Sequence, residues 1–235
     1  DTKTKTTLLD DLRDFTSTDT KKWYASHGIP FRRGYLFHGP PGTGKTSSVL
    51  AIASPLKVGV YRMNLVAPGL TDTTLVESIN LVKSGSLVVF EDVDALFGVH
   101  REKGDAFSVT FSGLLNAIDG LGDGTRGLLY ILTSNHRDRL DPALLRTGRI
   151  DLKIRMGACT TEQLAHMFCR FYPGATKDVV TTFVDAQSSG GASLTPAQVQ
   201  AHFITHRKSD AITAATRVHV DPEDIASGAE TLMWG

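Results

Sequence analysis

The sequence predicts an α/β domain, a parallel sheet covered by helices on both faces, followed by a small all-helical domain. Three observations carry this. Up to about Met156, short apolar runs of strand length alternate with helical patterns, which is how a sheet buried on both faces reads. A glycine-rich loop joins the first such run to a helix. Beyond that point only helical periodicity remains. The boundary is therefore set between 1–156 and 157–235.

Residues 1–5 are polar and read as loose chain. Leu8, Leu9, Leu12 and Phe15 then recur at helical spacing. Strand-like runs lie at 35–38, 58–63, 86–90, 127–133 and 150–155. Helical patterns fall between them: 46–53 after the glycine loop, one marked by Leu75, Ile79 and Val82, and one marked by Phe107, Phe111, Leu114, Leu115 and Ile118. In the second domain, 161–172, 177–187, 195–206 and 210–218 read as helices, punctuated by Pro173-Gly174 and a loop at 188–192.

The bulk numbers bound the function. The 235 residues are 41% hydrophobic, enough for a folded core. The 25 basic residues balance 25 acidic ones, so nothing in the bulk charge argues for a nucleic-acid or anionic-membrane partner, and a local basic patch stays open. Cys159 and Cys169 lack metal-ligand spacing and read as free thiols of a reducing compartment. No apolar run approaches the roughly 18 residues of a spanning helix. The start at Asp1 is read as a domain taken from a longer chain.

The most specific motif is Gly39, Pro40, Pro41, Gly42, Thr43, Gly44, Lys45 and Thr46, which fits G-x-x-x-x-G-K-[ST] between a strand and a helix that continues with Ser47. Glycines let the backbone wrap an anion with successive N–H groups pointing inward. The helix N-terminus adds the positive end of its dipole. In such a loop Lys45 reaches the β- and γ-phosphates and the Thr46 hydroxyl ligates Mg²⁺. Downstream, the apolar run 87–90 ends in Glu91, Asp92, Val93 and Asp94. This delivers carboxylates to the C-terminal edge of the sheet, where open α/β sheets bind ligands. One carboxylate there can hold the Mg²⁺ shell while a neighbour polarises the attacking water.

Asn135, after the strand 127–133, is either a water-orienting group or a turn residue. Asp141 and Pro142 suit the cap and first position of a short helix. Arg146 and Arg149 follow, either solvated or reaching the phosphates of a neighbouring subunit. His136 reads as a hydrogen-bonded structural histidine, and His202 and His206 as surface residues rather than metal ligands. Trp23 and Tyr24 read as packing against the domain. Trp234, at the frayed end, carries no reading.

With these pieces in order, the chain resembles the AAA ATPases, strongly over 34–155 and moderately through the helical tail. The run 135–151 looks like that family's second region of homology. The resemblance implies Asn135 as a sensor and Arg146 and Arg149 as trans-acting fingers. It also implies ATP and ADP as ligands with Mg²⁺, a homo-oligomeric ring, and a five-stranded sheet with the sensor strand between the phosphate-loop and acidic strands. The backbone around 27–29 takes the adenine position.

A narrower likeness is carried by residues 29–36, by Glu91-Asp92-Val93-Asp94, and by 111–120. Asn135-His136, residues 170–174 and residues 195–200 extend it. These resemble the mitochondrial Bcs-type AAA chaperones. That branch implies a membrane helix and a branch-specific domain upstream, so attachment to the inner mitochondrial membrane through a segment this chain does not contain. It implies a heptameric rather than hexameric ring and translocation of a folded client, the Rieske iron–sulfur protein, during respiratory complex III assembly. Residues 64–70 lack the aromatic of a threading pore loop, which sits with a folded client.

The chain departs from the general family in having Glu91 before Asp92. By position Asp92 is the water-activating group, one methylene shorter than usual, and Glu91 the metal-shell group. Thr147 stands where many relatives have proline. The shorter base keeps open an ATP-gated scaffold or adaptor with little turnover.

Overall fold

The computed structural model describes residues 2–97, 109–120, 127–189 and 193–217. Two compact units result, one formed by Thr2–Pro41 with Lys45–Met156, the other by the chain from Gly157 onward with Gly42–Gly44.

The first unit begins with helix α1 (Thr2–Phe15) and helix α2 (Thr18–Ser26). The reading of residues 1–5 as loose is corrected: the helix starts at Thr2. Burial of Leu8, Leu12 and Phe15 along one face anchors it. Helix α2 was not marked by its weak apolar pattern; Ser17 caps it by accepting from the Thr20 N–H. Strand β1 (Arg32–His38) leads through the phosphate loop to α3 (Lys45–Leu56). Strand β2 (Val60–Asn64), α4 (Asp72–Asn80) and β3 (Leu87–Glu91) follow. A 3₁₀ turn at Val93–Phe97, helix α5 (Phe111–Gly120), and strands β4 (Leu128–Ser134) and β5 (Leu152–Arg155) complete the unit. Phe107, expected in α5, lies outside the described residues.

All five strands are parallel, in the order β2-β3-β4-β1-β5. The strand that leads into Asn135 thus lies between the phosphate-loop strand and the acidic strand, as expected. Alternation fills both faces. Leu36, Val88, Phe90, Tyr130 and Leu132 pack with α4 and α5 residues such as Leu75 and Leu114. Tyr35, Phe37, Val89 and Ile131 pack on the other side with Leu8, Leu12, Val49 and Ile52 from α1 and α3.

Helix α1 is also tied to β1 by charge. Asp11 accepts from Arg33 Nε at 3.2 Å and Nη2 at 2.5 Å, and from the Tyr35 hydroxyl at 2.6 Å. Tyr35 is fully buried. Burial, then the Asp11 hydrogen bond and charge, raise the Tyr35 phenol well above its ordinary pKa, so it stays a donor.

The second unit holds α6 (Thr161–Phe171), α7 (Lys177–Ser189), α8 (Pro196–Thr205) and α9 (Ala211–Thr216). Capping boxes start α6 (Thr160 with Gln163) and α8 (Thr195 with Gln198), and Asp210 caps α9. Phe168, Phe183 and Phe203 form its core, with Phe168 and Phe183 stacked at 4.6 Å. His202 is not a surface residue: it is 2% exposed, with Nε2 placed 3.0 Å from the Ala214 carbonyl oxygen. Both cysteines are free. Among the described residues no helix is long and apolar enough to cross a membrane.

Asp11→Ala strands a buried phenol and an arginine together. It should lower the unfolding free energy by about 1–3 kcal/mol, read as a shift of the urea midpoint, with Asp11→Asn costing less. An unchanged midpoint would show that the pair adds nothing.

Candidate functional site

The parallel sheet brings the ends of β1, β4 and β3 side by side. Pairing of His38 with Ser134, and of Phe90 with Leu132, sets the phosphate loop, Asn135 and the Glu91-Asp92 step along one edge. The loop leaves β1 at Gly39, whose φ of +146° suits glycine. A Cβ there would lie 1.8 Å from the Met156 carbonyl oxygen, so the strand end also demands glycine sterically. Gly42 and Gly44 likewise have positive φ, 75° and 87°. Pro40 and Pro41 are exposed, Thr43 is buried, and Ser47 is exposed on the first turn of α3.

Lys45 is 7% exposed. Its Nζ donates to the carbonyls of Gly39 (2.7 Å) and Pro40 (2.9 Å) and to Asn135 Oδ1 (2.6 Å). Burial lowers its pKa, while the charges of Asp92 and Asp94 act the other way. Thr46 Oγ1 donates to Glu91 Oε1 at 3.3 Å. Asn135 Nδ2 donates to Asp92 Oδ1 at 3.2 Å. Lys45, Asn135 and Asp92 thus form one hydrogen-bonded set and Thr46 with Glu91 another, the two joined through adjacent residues of the chain.

Two supports of this set carried no role in the sequence. Thr133 Oγ1 accepts the Asp92 N–H at 3.0 Å, and Asp94 Oδ1 accepts the Asn135 N–H at 3.1 Å. Asp92 has φ +46°, a left-handed conformation uncommon for a residue with a Cβ, and such outliers gather at functional sites. Asp94 was visible as an acidic residue; what it holds depends on the strand order. His136 is corrected. Its backbone N–H donates to Ser134 Oγ, but its imidazole is exposed and hydrogen-bonds to no described residue.

Arg146 and Arg149 do not join the set. Arg149 donates through Nε (3.1 Å) and Nη2 (2.7 Å) to Asp119 and through Nη1 to the Ala143 carbonyl (2.8 Å). Its side chain is 20% exposed, so it is not simply solvated. Arg32, on β1, also donates to Asp119, at 3.4 Å. Arg146 is exposed. No helix forms at 141–146: Asp141 Oδ1 accepts from the Ala143 N–H at 2.7 Å, and i→i+3 bonds from Leu144 and Leu145 make successive turns. The chain reverses at Gly148, φ +91°, to reach β5. Trp23 is half exposed and stacks on His27 at 4.3 Å, while Tyr24 packs into the core.

Among the described residues no group of three His, Cys, Asp or Glu forms a metal cluster by itself. Mg²⁺ at phosphate sites asks for less: one or two carboxylates, a hydroxyl and substrate oxygens. The contact between Thr46 and Glu91 brings a hydroxyl and a carboxylate together, hard oxygen donors that fit the ion. A strand–loop–helix phosphate cradle facing an acidic strand end across a parallel sheet defines a P-loop nucleoside-triphosphate site.

The comparisons with known proteins agree. The ATPase family associated with various cellular activities (AAA) matches residues 35–158, and the mitochondrial chaperone BCS1-like ATPase lid domain matches 161–219. The chain belongs to the AAA ATPase family, with a lid of the BCS1-like kind. It is 40% identical to the mitochondrial chaperone BCS1 of Bos taurus over 211 residues, 87% of this chain and 50% of that protein. The human protein of the same name is 40% identical over 215 residues, covering 88% and 50%. That of Danio rerio is 38% identical over 213 residues, covering 87% and 50%. The chain thus spans about half the length of these relatives.

His38, 7% exposed at the end of β1, reports on the edge's electrostatics. Burial, then the positive charges of Arg137, Arg155 and Lys45, lower its pKa. The unfolded chain therefore takes up this proton first as pH falls. The stability involved is fully present above about pH 6.5 and is lost below it. Between about pH 7.5 and 5.5 the melting temperature of His38→Gln should fall less than that of the parent. Equal slopes would show that His38 is not the group responsible.

Proposed function

We propose that this chain is the ATP-hydrolysing motor portion of a ring-forming BCS1-like chaperone, with 1–156 as the nucleotide-binding domain and 157–235 as its lid. The observation that carries the reading is Lys45, a buried ammonium held by two loop carbonyls and Asn135 at the acidic sheet edge. Binding ATP would exchange those neutral acceptors for phosphate oxygens.

In this reading the loop from Gly39 through Ser47 holds the phosphates. Thr46, Glu91 and Asp92 would hold Mg²⁺, which would supply positive charge against the phosphates. Asp92 accepts the proton of the attacking water, and Asn135 orients that water. The water oxygen bonds to the γ-phosphorus, the bridge to the β-phosphate breaks, and ADP and phosphate leave. Arg149 and Arg146 act on the neighbouring subunit's phosphates, where such a finger is worth about 10³–10⁵ in rate. The intrachain pair with Asp119 keeps Arg149 extended from a fixed backbone; its Nη1 and Nη2 must be shared or released to serve a neighbour.

The names of the relatives support a mitochondrial chaperone role. The finer proposal is inner-membrane attachment through a segment outside this chain and movement of a folded client such as the Rieske iron–sulfur protein. Ring size is proposed as hexamer or heptamer. A scaffold with little turnover is the second reading, favoured by the short Asp92 base and by Arg149 being engaged within its own chain.

Steady-state phosphate release from assembled protein separates the two: sustained Mg²⁺-dependent turnover removes the scaffold. Asp92→Asn should then lower kcat by about 10²-fold or more while nucleotide still binds. Turnover untouched by Asp92→Asn would remove Asp92 as base. Lys45→Ala and Arg149→Ala chains should each be inactive alone, and mixing them should restore part of the turnover, because Arg149 reaches the Arg149-deficient neighbour. Full turnover of assembled Arg149→Ala would end the trans role.

A further inference from the structure

The candidate metal carboxylate already has a cation on it. Arg62, on β2, donates to Glu91 through Nε (3.1 Å to Oε2) and Nη2 (2.9 Å to Oε1 and 2.7 Å to Oε2). The register explains the reach. Arg62 lies opposite Val89, so Glu91 is its diagonal neighbour two residues on, and side chains at i and i+2 share a face. The same Oε1 that Arg62 engages also accepts from Thr46 Oγ1. Both carboxylate oxygens are thus held by one guanidinium, at the point where the Thr46 hydroxyl meets the acid. The Glu91 side chain is 20% exposed and that of Arg62 is 57% exposed, so the arginine covers the carboxylate from the solvent side.

We propose that Arg62 is a positioning residue that competes with the divalent cation for Glu91 and so sets the Mg²⁺ concentration at which nucleotide is held. The inference rests on the metal-shell reading of Glu91. Two cations cannot both take full advantage of the same two oxygens. The guanidinium is a planar fork suited to a bidentate grip, whereas Mg²⁺ demands near-octahedral oxygen geometry. Arg62 also adds a like charge near the incoming ion. Its exposure keeps the pair weak enough for the metal to displace it. Asp92, Asp94 and Lys45 also lie at this edge, with Arg137 and Arg155 near His38; Lys45 is held by neutral acceptors, and among the described residues Arg62 is the cation hydrogen-bonded to Glu91.

The test is a MgCl₂ titration of the binding of a fluorescent ATP analogue to the chain, with a parallel measurement in EDTA. Arg62→Ala should lower the Mg²⁺ midpoint about three- to fivefold, the range of one exposed ion pair. Affinity in EDTA should change less than about twofold. Arg62→Lys, which keeps the charge and loses the fork, should fall between. Glu91→Gln should raise the midpoint and, in the double variant, erase the effect of Arg62→Ala. A midpoint unchanged or raised in Arg62→Ala, while Glu91→Gln still raises it, overturns the competition. A midpoint unmoved by Glu91→Gln overturns the metal reading of Glu91 and the competition with it.

Discussion

A buried ammonium is the constraint around which the first unit is arranged. Lys45 is almost wholly removed from solvent, and its three hydrogen-bond acceptors are neutral oxygens. Desolvating a cation without a contacting carboxylate is unfavourable, and burial accordingly lowers its pKa. The arrangement persists because two acceptors are carbonyls of the loop the lysine terminates, and the third comes from the end of β4. The strand order that puts β4 against β1 is therefore a condition for holding Lys45, and so is the close pairing at Gly39, where the Met156 carbonyl leaves no room for a side chain.

The rest of the edge follows from that pairing. Once β4 lies between β1 and β3, Thr133 can orient the Asp92 backbone, Asp94 can hold the Asn135 backbone, and Asn135 can touch both Lys45 and Asp92. Asp92 is left-handed where its N–H meets Thr133, so the carboxylate read as the base is held in part by a residue on another strand. Arg149 is fixed by a separate set. Its carbonyl accepts from the Tyr130 hydroxyl, and a Cβ on Gly34 would lie 2.0 Å from that carbonyl oxygen. The Gly34 N–H donates to Asp151 at 2.9 Å, which closes the corner between β1 and β5. The arginine thus projects from a rigid backbone, with Asp119 gripping its far end. The Asp119 carboxyl is kept below its usual pKa by the Arg149 hydrogen bond and by the nearby charges of Arg149 and Arg32, against the pull of burial.

Much of the architecture was legible because it depends on period and on short motifs. The strand runs, the phosphate loop and the helical spacing of the second domain are local patterns, and the elements lie close to where those patterns fall. The misses share a cause. Helix α2 packs chiefly through Tyr24 and has a weak apolar stripe. The turn at 141–146 has a cap and a proline suited to a helix, yet the chain must reverse there to deliver Ile150 to the core. The spacing of His202 and His206 shows only one helical face, whereas the burial of His202 is decided by Ala214 and Phe183 on other helices.

By itself the sequence determined which residues carry charge and which atoms could meet a phosphate, because a loop of fixed spacing between strand and helix permits few other geometries. It also determined that Lys45, Glu91, Asp92 and Asn135 end up at element boundaries. Which side chain answers which was decided only by the tertiary structure. Arg62 and Glu91 are far apart in the chain, and they meet because β2 and β3 pair in a register that makes them diagonal neighbours. Asp119 reaches Arg149 for the same kind of reason. Contacts of this sort depend on strand order and register, which are set by how the whole core closes, and no local pattern encodes them.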